Sequence, residues 1–165
     1  MTNCHPRTFL LVSVSTLLLC VTFCMISCKK NNWLDWKAQN AAWLAKNALQ
    51  DSIRCTDSGL QYKVIRQGIY GTTPDDLKSV RIRYKGSLIT GDVFEQNDDA
   101  SFAVTGVVAG LQEGLKKMNK SGHFIFYIPQ ELGYGSDEQG TRGSSSNYIP
   151  PYSTLIFEVE LYDVY

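Results

Sequence analysis

The residues that most often carry enzyme chemistry are sparse in this chain. Its two histidines, His5 and His123, lie far apart in the sequence. A metal site needs several His, Cys or carboxylate ligands that converge, and no cluster with suitable spacing occurs, so no metal is expected. A Gly-rich phosphate loop ending in Lys-Ser or Lys-Thr is missing. Gly143-Ser144-Ser145-Ser146 has loop composition and not the Gly-x-Ser-x-Gly pattern of a nucleophile elbow. A Ser-His-Asp arrangement built on His123 has no supporting pattern, and His123 reads as a surface strand residue. What remains is an aromatic-lined apolar cleft and a reaction that needs neither cofactor nor nucleophile.

Such a cleft has to be held by a folded scaffold, and the patterning predicts one. Hydrophobic residues make up 44% of the 165, enough for one packed domain. Sixteen basic and sixteen acidic residues give no net charge and no block of one sign, so nucleic acid is not an expected partner. Trp33 to Gln50 lacks Gly and Pro and reads as a helix, with Trp33, Trp36, Trp43 and Leu44 near helical spacing. That helix either packs on its own domain or forms a self-association face, because three indoles are a large apolar payload. Leu60, Tyr62 and Val64 alternate with polar residues, as do Val80, Ile82 and Tyr84, and Leu155, Phe157, Val159 and Leu161. These are half-buried strands. Phe124 to Ile128 is a continuous apolar run expected in a central strand, and Phe102 and Val104 form a short apolar pair. Val107, Val108, Leu111, Leu115 and Met118 recur at three- and four-residue spacing, which predicts one short amphipathic helix. About five strands and that helix imply an α+β fold, an antiparallel sheet wrapped around the short helix and preceded by an N-terminal helix.

The first 27 residues differ in kind. Met1 to Ser27 holds Arg7 and no acidic residue, and is otherwise a long apolar run. This is the pattern of an export signal, although about twenty such residues would also span a bilayer as an uncleaved anchor. Met25-Ile26-Ser27-Cys28 resembles a bacterial lipobox, with the small Ser27 immediately before the cysteine that would be lipidated. Cys20 and Cys24 follow the bulky Leu19 and Phe23, so Cys28 is the preferred site. The expected arrangement is therefore 1–27 as lipoprotein signal, 28–58 as lipidated Cys28, spacer and helix, and 59–165 as the catalytic domain. Cys55 would remain as a lone thiol. The protein is expected outside the cytoplasm, held at a bacterial membrane by lipid in the periplasm or on the outer membrane.

Several motifs in order carry a family resemblance. Val80 to Gly86 with Gly91-Asp92-Val93-Phe94, then Gly106 to Met118, then Ile128-Pro129 through Tyr134-Gly135, and finally Ile149-Pro150-Pro151 through Leu161 resemble the FKBP-type peptidyl-prolyl isomerases. Gly59 to Ile65 resembles the strand that opens the domain in the macrophage infectivity potentiator branch. The resemblance implies cis/trans isomerisation of X-Pro bonds in proline-containing polypeptide clients, with no cofactor. It also implies a pocket lined by Tyr84, Phe94, Val107, Val108, Leu111, Tyr134, Ile149 and Phe157. In it, the Val108 amide and Tyr134 hydroxyl would bond substrate carbonyls, and the proline ring would sit on Leu111.

Three departures from the family pattern accompany this. Glu95 stands where Asp is usual, in the position whose carboxylate orients pocket groups. Leu111 replaces the usual Trp floor. Gln96 to Ser101, with Ala100, lacks one pocket aromatic. The polar loop Ser136 to Tyr148 is longer than in compact members and is expected to overhang the cleft. The competing readings are an FKBP-shaped peptide-binding lipoprotein with little turnover, and a structural lipoprotein whose tryptophan helix makes the relevant contact.

Overall fold

The computed structural model describes residues 33–69, 71, 73–143 and 147–165. The expected export signal and the expected lipidation at Cys28 lie outside the described residues. Helix α1 spans Trp33–Asn47 and is followed by β1 (Ile53–Cys55), β2 (Gln61–Arg66), β3 (Ser79–Ser87) and β4 (Val93–Ala103). A 3-10 turn at Val104–Gly106 leads to α2 (Ala109–Leu115), then β5 (His123–Ile128), a second 3-10 turn (Gln130–Leu132) and β6 (Leu155–Val164). Six strands form one sheet in the order β1-β2-β5-β6-β3-β4, with each adjacent pair antiparallel. The α+β architecture expected from the sequence is present, with one strand more than the patterning gave. The last strand lies inside the sheet, hydrogen-bonded to both β5 and β3.

Strand alternation sets the core. Val80 and Ile82 of β3, Phe124, Phe126 and Ile128 of β5, and Leu155, Phe157, Val159 and Leu161 of β6 are all buried on the concave face. They meet Leu111, Leu115 and Met118 of the α2 region in one cluster. The intervening residues of β5 are apolar for a different reason. Tyr127 faces away from that core, and the Trp43 ring of α1 packs 5.7 Å from it. Burial from both sides explains why β5 reads as a continuous apolar run rather than an alternating one.

Helix α1 packs on the body of the domain largely through polar groups. Asn40 and Asn47 are its most buried residues, 3% and 4% exposed. The Asn40 side-chain oxygen accepts from the Thr154 amide at 2.7 Å, and Asn47 Nδ2 donates to Gln61 Oε1 at 2.9 Å. Gln61 in turn donates to the Leu44 carbonyl, and Trp36 Nε1 donates to Ser153 Oγ at 3.0 Å. Each buried side-chain N or O atom in this junction has a partner, so docking leaves no orphaned side-chain polar group there.

Glycines decide how closely α2 approaches the sheet. A Cβ on Gly114 would stand 2.6 Å from the Phe126 ring, and one on Gly110 would stand 2.5 Å from Ile128 Cγ2. The four-residue spacing puts both on the helix face that meets β5. Gly114→Ala is expected to lower stability by roughly 1–3 kcal/mol through overpacking. The measurement is a urea titration, in which the midpoint should fall with the slope unchanged. An unchanged midpoint would show that the helix has room for a methyl there.

Candidate active site

One open hollow is walled by side chains from three strands, α2 and two connecting turns. Its lining is Tyr84, Glu95, Phe102, Gly106, Val107, Val108, Leu111, Tyr134 and Phe157, and it encloses about 460 Å³. Pairing of β3 with β6 sets Gly86 opposite Phe157 and Tyr84 opposite Val159, so the Tyr84 and Phe157 side chains are diagonal neighbours on the concave face. Their ring centroids lie 6.2 Å apart. Phe102 of β4 meets Tyr84 edge-on at 6.1 Å. Leu111, in the first turn of α2, is buried at the base. Gly86 is the reason the aromatic wall can close, because a Cβ there would meet the Phe94 ring at 2.5 Å and Phe157 at 3.0 Å.

A β-bulge aims the charged wall residue. Gly86 pairs with Glu95 while the next residue, Ser87, pairs with Val93, leaving Phe94 as an extra residue in β4. Such an insertion re-aims side chains locally. Phe94 is buried against Phe157, with centroids 5.6 Å apart and rings nearly perpendicular. Glu95 reaches the cleft. Its Oε1 accepts from the Tyr84 hydroxyl at 2.6 Å, so the side chain that is one methylene longer than the usual Asp still engages a pocket phenol.

The two phenols that line the hollow stay protonated. Tyr84 is pushed well above the ordinary tyrosine range, first by burial, then by its hydrogen bond to Glu95 and by that carboxylate's charge, with Tyr134 adding a smaller push. Tyr134 is raised by burial and then by the charge of Glu95. Tyr134 is 37% exposed, and its hydroxyl has no hydrogen-bond partner among the described residues. The turn carrying it is pinned by the Gly135 amide on the Gln130 carbonyl and the Tyr152 amide on the Gly135 carbonyl. Val108 precedes α2, and its carbonyl accepts from the Leu111 and Gln112 amides. Its own N–H bonds no backbone group among the described residues.

Most residues singled out from the sequence converge here: Tyr84, Glu95, Val107, Val108, Leu111, Tyr134 and Phe157 all line the hollow. Phe94 and Ile149 do not. Phe94 supports Phe157 from behind, and Ile149 is buried in the core with its backbone bridged to Gln139. The expected gap in the aromatic wall is corrected by Phe102, which lines the cleft from the far end of β4. Ala100 and Phe102 share a face two residues apart, a signal hidden because the polar run before them reads as loop. Gln112 carries no sequence signal of its role. Its Nε2 donates to the Val107 carbonyl at 2.7 Å and holds the valine turn in place.

The loop after Tyr134 is described over 136–143 and 147–148. None of its described residues lines the hollow. Arg142 sits over the Trp33 ring at 5.4 Å, and Asn147 and Tyr148 wall a separate recess with Trp36 and Phe94. His123 bonds Glu158 at 2.9 Å and is not among the cleft residues. No group of metal-ligating side chains occurs among the described residues.

Because the Glu95 carboxylate contributes to raising both phenols, Glu95→Gln is expected to lower the titration midpoints of Tyr84 and Tyr134. Tyrosine ring carbon shifts followed by NMR through the alkaline range would measure this. Unmoved midpoints would show that the carboxylate lies outside the electrostatic reach of the phenols.

Comparison with known proteins places this hollow in context. The sequence pattern of FKBP-type peptidyl-prolyl cis-trans isomerases matches residues 71–162, a span that includes every lining residue. The FKBP-type 22 kDa peptidyl-prolyl cis-trans isomerase of Escherichia coli is 40% identical over 131 residues, covering 77% of this chain and 60% of that protein. The FKBP-type peptidyl-prolyl cis-trans isomerase FkpA of Escherichia coli is 38% identical over 134 residues, covering 79% of this chain and 47% of that protein. The chain thus spans 60% and 47% of those two relatives' lengths. The crystal structure of FkpA from Escherichia coli superposes with a TM-score of 0.70 at 34% identity, over 92% of this chain and 71% of that one. Sequence pattern, relatives and fold agree, and the chain belongs to the FKBP-type peptidyl-prolyl cis-trans isomerase family.

Proposed function

We propose that this protein catalyses cis/trans isomerisation of X-Pro bonds in exported polypeptides while held at a membrane by lipid on Cys28. The observation that carries the catalytic reading is a hollow walled by aromatic and aliphatic side chains, with a protonated Tyr134 hydroxyl that has no hydrogen-bond partner among the described residues and with Val108 in the lining. Rotation about a peptide bond faces a barrier of about 18–20 kcal/mol, set by amide resonance. The planar amide is more dipolar than the twisted one, so apolar walls stabilise the twisted state relative to water. Tyr84, Phe102, Phe157 and Leu111 supply those walls. Tyr134 and the Val108 amide donate to substrate carbonyls, holding the chain on either side of the bond while it turns. No proton or electron leaves the substrate, which agrees with a cleft free of His and Cys.

The test is relaxation of a proline-containing peptide measured without a coupling protease. The protein is expected to accelerate it. Tyr134→Phe should lower kcat/KM by about tenfold, the effect of one hydrogen bond worth about 1.4 kcal/mol in the transition state. Phe157→Ala should cost more, with circular dichroism confirming that the sheet persists. Binding of the peptide with no acceleration by the wild type would overturn the enzymatic reading in favour of a peptide-gripping module.

The membrane reading rests on the apolar run before Cys28 and the lipobox-like Met25 to Cys28. No helix among the described residues is long and apolar enough to cross a bilayer. Two or more acyl chains on Cys28, at about 0.8 kcal/mol per buried methylene, would make attachment effectively permanent. Expressed in a bacterium, the wild type is expected in the membrane fraction and Cys28→Ser in the soluble fraction. A wild type that fractionates as soluble would remove the anchor from the proposal.

A further inference from the structure

Glu95 is the one charged side chain on the cleft wall among the described residues. Its charge has no counter-ion: none of the ion pairs formed by the described residues includes it. One carboxylate oxygen accepts from the neutral Tyr84 hydroxyl, which orients the group without cancelling its charge. The other oxygen has no partner among the described residues. Neighbouring cations are directed elsewhere. Arg83 and Lys85 line a neighbouring polar recess, which shares Tyr84 with the hollow and also holds Asp98, Glu158 and Glu160, and Arg81 pairs with Asp99 at 2.8 Å. The negative charge therefore projects into a hollow whose other walls are apolar or phenolic. Burial is the first cause of the raised titration of both lining phenols, and the Glu95 charge adds to it.

We propose that Glu95 selects among proline-containing segments by charge, favouring those with Lys or Arg next to the proline and disfavouring those with Asp or Glu there. The inference rests on the isomerase reading of this cleft and names the substrate class it prefers. Glu95 is itself exposed, so solvent screens its charge and the attraction for an incoming cation is modest, carried by the fixed orientation that Tyr84 gives the carboxylate. The same geometry repels an acidic neighbour of the proline. Side-chain cations on a bound peptide need not enter the hollow itself; they need only lie along its Tyr84 and Glu95 edge.

The experiment uses the full chain and peptides that differ only in the residue before or after proline, set to Lys, Gln or Glu. At low salt, kcat/KM for the preferred Lys position should exceed that for Glu there by about three- to tenfold, and the ratio should shrink as salt is raised. Glu95→Gln should bring the ratio close to one, and Glu95→Asp, which keeps the charge, should retain most of it. A cavity-shaping role alone would change all peptides alike and leave their ratio untouched. If the Gln peptides are turned over but Lys and Glu do not differ at either position, the inference is overturned while the isomerase reading stands. A preference that survives in Glu95→Gln overturns it equally. If no peptide is turned over, the isomerase reading falls, and binding of the same peptides by fluorescence anisotropy decides the selectivity. A Lys preference that Glu95→Gln abolishes supports the inference, and equal binding sinks it.

Discussion

Gly110 and Gly114 lay the backbone of α2 directly on Ile128 and Phe126, with no room for even a methyl group between them. That contact fixes the height of the helix above the sheet. The height in turn places Leu111 at the base of the hollow and the Val107–Val108 turn at its rim. Gly86 performs the equivalent task within the sheet, letting the rings of Phe94 and Phe157 cross at near right angles over bare backbone. A tightly packed interior transmits small changes of volume, so these three positions govern the shape of the cleft although only their neighbours touch its contents.

Within that shape, the proposed chemistry depends on groups kept neutral among aromatic and aliphatic walls. Burial and the nearby carboxylate both hold Tyr84 and Tyr134 in their protonated forms. A phenol whose ionisation is pushed upward remains a hydrogen-bond donor across the pH range in which proteins fold. Glu95 thus has two effects in one position: it orients Tyr84, and it gives an otherwise uncharged hollow a sign. The β-bulge at Phe94 makes this possible, since it lets an anchoring ring and a cleft-facing carboxylate occupy adjacent residues.

Helix α1 shows how a polar surface can make a specific junction. Trp36 and Trp43 contribute contacts, yet the most buried side chains are Asn40 and Asn47, each hydrogen-bonded to the body of the domain. Amide pairs demand one alignment, whereas indole rings tolerate many. Asn40 bonds the Thr154 amide immediately before β6, the strand that carries Phe157. The helix is accordingly tied to the start of the strand that forms one wall of the cleft.

Strand alternation and the spacing of the α2 residues were legible because burial on one face imposes a period of two on a strand and near four on a helix. Ordered motifs then carried most of the cleft residues, from Tyr84 to Phe157. Other features were not legible, for reasons of geometry. The polar run Gln96 to Asp99 conceals that β4 continues to Phe102, because an edge strand exposed to water needs no apolar signal there. The inward face of α1 carries amides that look solvent-facing until Thr154 and Gln61 are brought beneath them. Phe94 and Phe157 are equally aromatic as letters, and it takes the crossing of their rings to show which one faces the hollow. Local period and composition were enough to dictate most of the elements, their inward faces and the aromatic character of the site. The placing of the final strand inside the sheet, and the bulge that sets Phe94 behind the wall and Glu95 on it, came from folding alone. Both depend on pairing between residues distant in the chain, for which no local pattern exists.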